Sequence, residues 1–199
     1  MFTGIVETIG QVVQWRDGHL AVRSDLSSRL AVGGSIAVNG VCLTVVEVEG
    51  DTFFADVVPE TRRRTNIGLL EPGGGVNLEL PVRAAQGLDG HLVQGHVDGV
   101  ARVVRVADVD MGRELDFELP PDLAPFVAEK GSIAVDGISL TIAGVDDPPG
   151  TFRIALIPHT LGHTIAGQYD HGTLVNVEVD VVARYVARLI RHPAQAGAR

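Results

Sequence analysis

Residues 34–45 read GSIAVNGVCLTV and residues 131–142 read GSIAVDGISLTI, the same phrase 97 positions later with eight of its twelve residues unchanged. A second echo runs at an offset of 99. Thr52, Phe53, Pro59, Thr61, Thr65, Gly68, Val76, Asn77 and Glu79 reappear as Thr151, Phe152, Pro158, Thr160, Thr164, Gly167, Val175, Asn176 and Glu178. The chain openings correspond more weakly, FTGIVE at 2–7 against VQGHVD at 93–98. The duplication therefore covers nearly all of the 199 residues. A long period present only twice argues for two copies of one complete domain rather than a solenoid of short units.

Strands dominate each copy. Short Val- and Ile-rich segments, Ile36–Val38, Leu43–Val48, Phe53–Val58 and Val76–Leu80, alternate with Gly, Asn, Asp and Pro punctuation, and the second half repeats them. Asn39-Gly40 and Asp136-Gly137 interrupt apolar runs at matching places, as tight hairpin turns with positive φ require. Each half reads as a small antiparallel barrel. The expected organisation is all-β, with one barrel over 1–88, a second over 89–180 and a helical tail over 181–199. Helical pattern is confined to short pieces around Pro121–Val127 and to that tail. There Val181, Val182, Tyr185, Val186, Leu189 and Ile190 form an apolar stripe, while Arg184, Arg188 and Arg191 project elsewhere. The stripe covers either its own barrel or the same helix of other subunits.

Composition narrows the functional class. A net charge of −9 leaves no basic footprint for nucleic acid, and no cluster of Lys or Arg points to a membrane surface. A single cysteine, Cys42, excludes an internal disulfide and suits a reducing compartment. No apolar run approaches membrane-spanning length, and the N-terminus lacks the basic region of a signal peptide. A cytoplasmic protein is expected.

The site candidates are the places where the copies differ. Cys42 and Ser139 occupy matched positions, each followed two residues later by Thr44 and Thr141. Small polar side chains at alternate strand positions share a face and can bond the edge of a planar ring. The bland reading of Cys42 is a buried small hydrophobe. His96 replaces Ile5 of the first copy, breaking the symmetry with a group that can move a proton near neutral pH. The competing role is a structural histidine at the domain junction. Lys130 is the only lysine and precedes the second phrase. Pro59-Glu60-Thr61 and Pro158-His159-Thr160 follow strands at equivalent places, and Asp56 precedes the first. His159, His163 and His171 lack the spacing and acidic partners of a metal site. Gly73-Gly74-Gly75 lacks the ending of a phosphate loop and reads as a turn. His91 and His96, five apart, would fall on opposite faces of a strand.

MFTGIVE, SIAVNGVCLTV with SIAVDGISLTI, PETRRRTNIG, IPHTLGHT and GHLVQGHVDG, in that arrangement over roughly residues 1–190, resemble riboflavin synthase of the alpha-chain type. The resemblance implies two six-stranded Greek-key barrels, a C-terminal helix and a homotrimer built around it. It implies a dismutation with no cofactor or metal: two molecules of 6,7-dimethyl-8-ribityllumazine exchange a four-carbon unit, giving riboflavin and 5-amino-6-(D-ribitylamino)uracil. An association with lumazine synthase is a further expectation. In such a family the productive pair forms between the N-terminal barrel of one subunit and the C-terminal barrel of a neighbour. The residues carried over are His96, Cys42, Ser139 and Thr141 for catalysis. For substrate binding they are Gly4, Ile5 and Val6; Leu43 and Thr44; Asp56, Glu60 and Thr61; Gly95 and Val97; Lys130 and Leu140; and Ile157, Pro158, His159, Thr160 and Gly162.

Because donor and acceptor are the same molecule, two related barrels can each hold one copy, a proximity effect of about 7–11 kcal/mol. Departures from the family pattern fall at Arg62, at Leu80-Pro81, at Asp89 and at Ile165-Ala166-Gly167. They bear on loop geometry and supporting packing. Lumazine proteins, non-catalytic binders of lumazine or flavin, share the duplicated barrel and form the alternative class. Such a binder is expected to lose polar residues in one half-site, whereas both half-sites here retain them.

Overall fold

The computed structural model describes residues 1–146 and 150–191, so the end of the expected tail, 192–199, lies outside the described residues. The first barrel comprises β1 (Thr8–Arg16), β2 (His19–Arg23), β3 (Ser35–Val38), β4 (Val41–Glu49), β5 (Thr52–Asp56) and β6 (Gly75–Glu79). The second comprises β7 (Gly99–Val109), β8 (Gly112–Glu118), β9 (Ser132–Val135), β10 (Ile138–Asp146), β11 (Thr151–Leu156) and β12 (Leu174–Val179). The first closes in the order β1-β2-β5-β4-β3-β6 and the second in the equivalent order, all pairs antiparallel. Even the bulges repeat: β4 slips between Val45 and Glu47, and β10 between Ile142 and Gly144. A bulge bends its strand, and bending at matched points lets six short strands close.

Alternation explains the two cores. Val41, Leu43 and Val45 of β4 point inward with Phe53 and Leu78, while Cys42 and Thr44 point out. In the second barrel Phe117 stacks on Phe152 at 5.0 Å among Leu115, Ile133 and Ile154. Each fully buried aromatic or aliphatic side chain contributes roughly 1.5–3 kcal/mol.

The barrels meet at their repeated turns. Asn39 (φ 45°) with Gly40 (φ 74°), and Asp136 (φ 43°) with Gly137 (φ 77°), have the predicted left-handed geometry. The turns sit back to back, so a Cβ on Gly40 would lie 2.6 Å from the Gly137 nitrogen. Asparagines bind them together: Asn77 Nδ2 donates to the Asp136 carbonyl at 2.9 Å, and Asn176 Nδ2 to the Asn39 carbonyl at 2.8 Å. Here the repeat breaks its symmetry. The Asp136 carboxylate accepts from Asn66 Nδ2, the Asn176 amide and the Tyr169 hydroxyl, the last at 2.6 Å. Full burial pushes its pKa up to about 7 against those three donors.

The helices differ from the sequence expectation. Six-residue helices α1 (Pro59–Arg64) and α2 (Pro158–His163) follow β5 and β11, where no helix was expected. Each begins with proline at its first position after an extended residue, but one and a half turns carry too little periodicity to register. Around 121–127 the structure has only a 3₁₀ turn, Ala124–Phe126. The tail helix α3 spans Val181–Arg191, and two of its arginines reach back to the body of the second half. Arg184 pairs with Asp98 at 2.8 Å and Arg191 lies over the Phe126 ring. Val182, Tyr185, Val186, Leu189 and Ile190 are left exposed, Leu189 and Ile190 at 68% and 73%. Packing of the stripe on its own barrel is thus excluded. Among the described residues no helix is long and apolar enough to cross a membrane.

Candidate functional site

The segment that enters each barrel is laid against the other one. Phe2 and Val93 pair with each other, exchanging backbone hydrogen bonds at 2.7 and 3.1 Å, and are buried with Ala37 and Ala134 between the barrels. From this crossing the two segments diverge. The Gly4 carbonyl accepts from the Ser139 amide of the second barrel at 2.7 Å, and Val6 packs on that barrel's core. Reciprocally, the Gly95 carbonyl accepts from the Cys42 amide of the first barrel at 2.9 Å, and Val97 packs on the first core. Glycine is required at both contacts. Gly4 (φ 76°) and Gly95 (φ 80°) are left-handed, and a Cβ would lie 2.7 Å from that of Ser139 and 2.5 Å from that of Cys42.

This crossing places His96 beside Cys42. Both line a cleft of about 180 Å³ with Val41, Glu60, Thr61, Arg64, Thr65, Gly95 and Val97. Helix α1 forms one wall. The Glu60 carboxylate bonds Arg64 at 2.5 Å and also bonds Arg63, and these guanidinium groups hold its pKa below the ordinary value. The cleft therefore combines a thiol, an imidazole, a hydroxyl and a clamped ion pair. It can accept a flat polar ring edge and exchange protons with it.

The second half-site is built by the same rules with different groups. Ser139 and Thr141 project outward from β10. The Ser139 hydroxyl meets His91 Nδ1 at 2.7 Å, and His91 Nε2 is buried without a partner. Burial pulls the His91 pKa down. Sequence reasoning treated His91 and His96 as strand neighbours on opposite faces, but neither lies in a strand. The glycines around them and the crossing with Phe2 turn the chain aside, so each histidine serves a different half-site. His91 lies outside the matched openings, Phe2–Glu7 against Val93–Asp98, so the repeat comparison was blind to it. Arg64, Val41 and Thr65 were likewise missed, although Thr65 belongs to the repeated set.

Other expected residues fall as follows. Leu43 faces the barrel interior, so only its backbone is on the site side, and Leu140 packs partly against the second core. Asp56 is exposed and meets His19 Nδ1 at 2.7 Å, a partner supplied by β2. Ile5, Thr44 and Thr141 are exposed, as are Ile157, Pro158, His159 and Gly162, while Thr160 is half-buried. The His159 ring stacks on His163 at 4.1 Å, and His163 Nδ1 bonds the His159 carbonyl. Lys130 takes the left-handed conformation (φ 66°) beside the middle of β10, where its amide donates to the Ile142 carbonyl. Of the departures, Arg62 lies over Trp15 at 5.4 Å and Ile165 and Ala166 are buried, while Asp89 is exposed and its substitution has no structural explanation.

Comparison with known proteins agrees with this architecture. The lumazine binding domain matches twice, over residues 3–81 and 94–180. Riboflavin synthase of Mycobacterium tuberculosis (strain ATCC 25618 / H37Rv) is 46% identical, covering 96% of this chain and 98% of that protein. Riboflavin synthase of Bacillus subtilis (strain 168) is 39% identical, covering 96% and 90%. That of Schizosaccharomyces pombe (strain 972 / ATCC 24843) is 40% identical, covering 96% and 94%. Among solved structures, LumP complexed with riboflavin superposes with a TM-score of 0.82 at 27% identity, over 90% of this chain and 99% of that one. LumP complexed with 6,7-dimethyl-8-(1'-D-ribityl) lumazine gives 0.80 at 26% identity, with the same coverage. With both lumazine-binding repeats present and the match running nearly end to end, the chain belongs to the riboflavin synthase family.

Proposed function

We propose that this transferase dismutates two molecules of 6,7-dimethyl-8-ribityllumazine, one held against each barrel. The donor gives up its two ring carbons with their methyl groups as a four-carbon unit and leaves as 5-amino-6-(D-ribitylamino)uracil. The acceptor gains those four carbons and closes them into the third ring of riboflavin. Atoms and electrons balance between the two substrates, so the reaction calls for no external oxidant. What the protein must supply is orientation, proton transfer and polarisation of the rings.

The observation that carries this reading is the reciprocal pair of half-sites, each formed by one barrel and the entry segment of the other. The non-catalytic lumazine proteins share the duplicated barrel, but a binder of one ligand needs only one equipped place, and here both keep polar groups: Cys42, Thr44 and His96 in one, Ser139, Thr141 and His91 in the other. In the first, His96 takes and returns the proton of the substrate methyl group, and Cys42 with Thr61 holds the ring edge. In the second, Ser139 and Thr141 do the holding, with Lys130 and the α2 segment from Ile157 to Gly162 beside them. Asp56, Glu60 and the backbone of Gly4 to Val6 complete the binding surface.

The exposed stripe of α3 supports a homotrimer, because a helix tied down through Arg184 with its aliphatic residues outward needs like helices to cover them. The productive substrate pair then forms between the N-terminal barrel of one subunit and the C-terminal barrel of the next. Association with lumazine synthase belongs to the same reading, and co-sedimentation of the two proteins tests it.

The decisive experiment incubates the purified protein with 6,7-dimethyl-8-ribityllumazine alone, in EDTA, and follows both products by chromatography. Equimolar riboflavin and pyrimidine are expected. Tight binding without product would place the chain with the non-catalytic binders.

A further inference from the structure

We propose that Glu178 and Glu79 are positioning residues that act across the molecule, each organising the half-site borne by the opposite barrel. The two glutamates lie at matched positions near the ends of equivalent strands, β12 and β6, and both are buried, at 3% and 6% exposure. Neither pairs with a cation among the described residues. Instead Glu178 accepts three backbone amides of the crossing segment: Gln94 at 2.7 Å on Oε1, and Gly95 and His96 at 2.9 Å on Oε2. Glu79 accepts the Thr3 amide at 2.7 Å and the Thr3 hydroxyl at 3.0 Å on Oε1, and the Gly4 amide at 3.0 Å on Oε2. Burying a carboxylate without a counter-ion is costly, and burial raises the pKa of both. Only converging N–H and O–H donors make it tolerable.

What the carboxylates hold is the polypeptide that completes the other barrel's site. The amides fixed by Glu178 are those of the residues whose carbonyl and side chain meet Cys42: the Gly95 carbonyl takes the Cys42 amide, and His96 shares the Cys42 cleft. The Gly4 fixed by Glu79 accepts the Ser139 amide. Control is therefore crossed. The glutamate of the second barrel sets the position of His96 over the first, and that of the first barrel sets the contact at Ser139 on the second. The His96 backbone is pinned while its side chain stays exposed, an arrangement suited to a group that must reach a ligand from a fixed base.

The kinetic part of this inference rests on the lumazine reaction proposed above; the structural part does not, and the test separates them. Glu178→Gln and Glu79→Gln keep shape but turn one accepting oxygen into an NH₂ group that faces a backbone donor. Cys42 is the only cysteine, so its reaction rate with Ellman's reagent reads the first half-site without any substrate. Glu178→Gln is expected to change that rate several-fold, and to lower kcat about tenfold or more with a smaller change in KM. Glu79→Gln, which loses a comparable buried anchor, is expected to leave Cys42 labelling as in the parent protein. Equal changes in both variants, or none in Glu178→Gln, would overturn the assignment. If Glu178→Gln does not fold, amide hydrogen exchange in the unaltered chain decides the matter. Protection of Gly95 and His96 supports the anchor, and exchange at open-loop rates refutes it. Crossed labelling in a chain that makes no riboflavin would refute the reaction and leave the positioning role intact.

Discussion

His96 and Asp136 show how one changed residue in a repeat acquires a task. His96 stands where the first copy has Ile5, and both are exposed on the entry segments. If it moves the substrate proton, His96→Gln lowers kcat by about two orders of magnitude or more while lumazine binding, followed by fluorescence titration, changes little; equal loss of both marks a structural residue. Asp136 stands where the first copy has Asn39. Its pKa is about 7 when folded against 3.8 in the open chain. Below about pH 3 it is protonated in both states. Between about pH 4 and 7 the unfolded chain ionises first, so stability falls as pH rises, by on the order of 4 kcal/mol in total. Asp136→Asn abolishes that component, because an amide still accepts from Asn66 and Asn176 and can donate to Tyr169. Denaturant midpoints of parent and variant, compared at pH 5 and pH 8, measure it. The parent is expected to lose ground relative to Asp136→Asn at the higher pH. His91 works in the other direction, since burial lowers its pKa and its contribution is lost as pH drops below about 6.5.

Elements differ in how much of themselves they write into the sequence. The strands and their hairpins were legible because alternation and the Asn-Gly and Asp-Gly pairs leave local signatures, and the repeat supplied each one twice. Gly40→Ala tests the turn. With φ at 74° and the added Cβ 2.6 Å from the Gly137 nitrogen, it is expected to cost at least about 1–3 kcal/mol, read as a lowered Tm. Helices α1 and α2 were not legible, being shorter than the period that would betray them. The candidate site was partly legible. Cys42, Ser139 and His96 stood out as symmetry breaks, but the pairing of His96 with Cys42 depends on the crossing of two entry segments. That crossing is set by contacts between residues distant in sequence, Phe2 with Val93 and Gly95 with Cys42 among them, which no local pattern encodes. The same reason hid His91, which touches Ser139 only because the chain turns at Gly90, where a Cβ would press on the Thr3 carbonyl.

At the scale of the whole molecule, α3 decides the assembly. The Asp180 carboxylate caps its start by accepting from the Val182 amide at 2.9 Å, and Arg184 ties it to Asp98, so the helix is held in place with its apolar face outward. A chain ending at Asp180 is expected to elute as a monomer on size exclusion, to bind lumazine and to turn over poorly. Full activity in such a monomer would remove the intersubunit site. The crossed entry segments carry a further consequence for the peptide that joins the barrels. Residues 83–89 are exposed and lie outside every strand and helix, yet the two halves are already interlocked by Phe2 on Val93, Gly4 on Ser139 and Gly95 on Cys42. The joining peptide is thus a tether for two partners that would clasp each other without it. A nick there leaves the halves together, and the two pieces made as separate chains are expected to find one another and rebuild both sites.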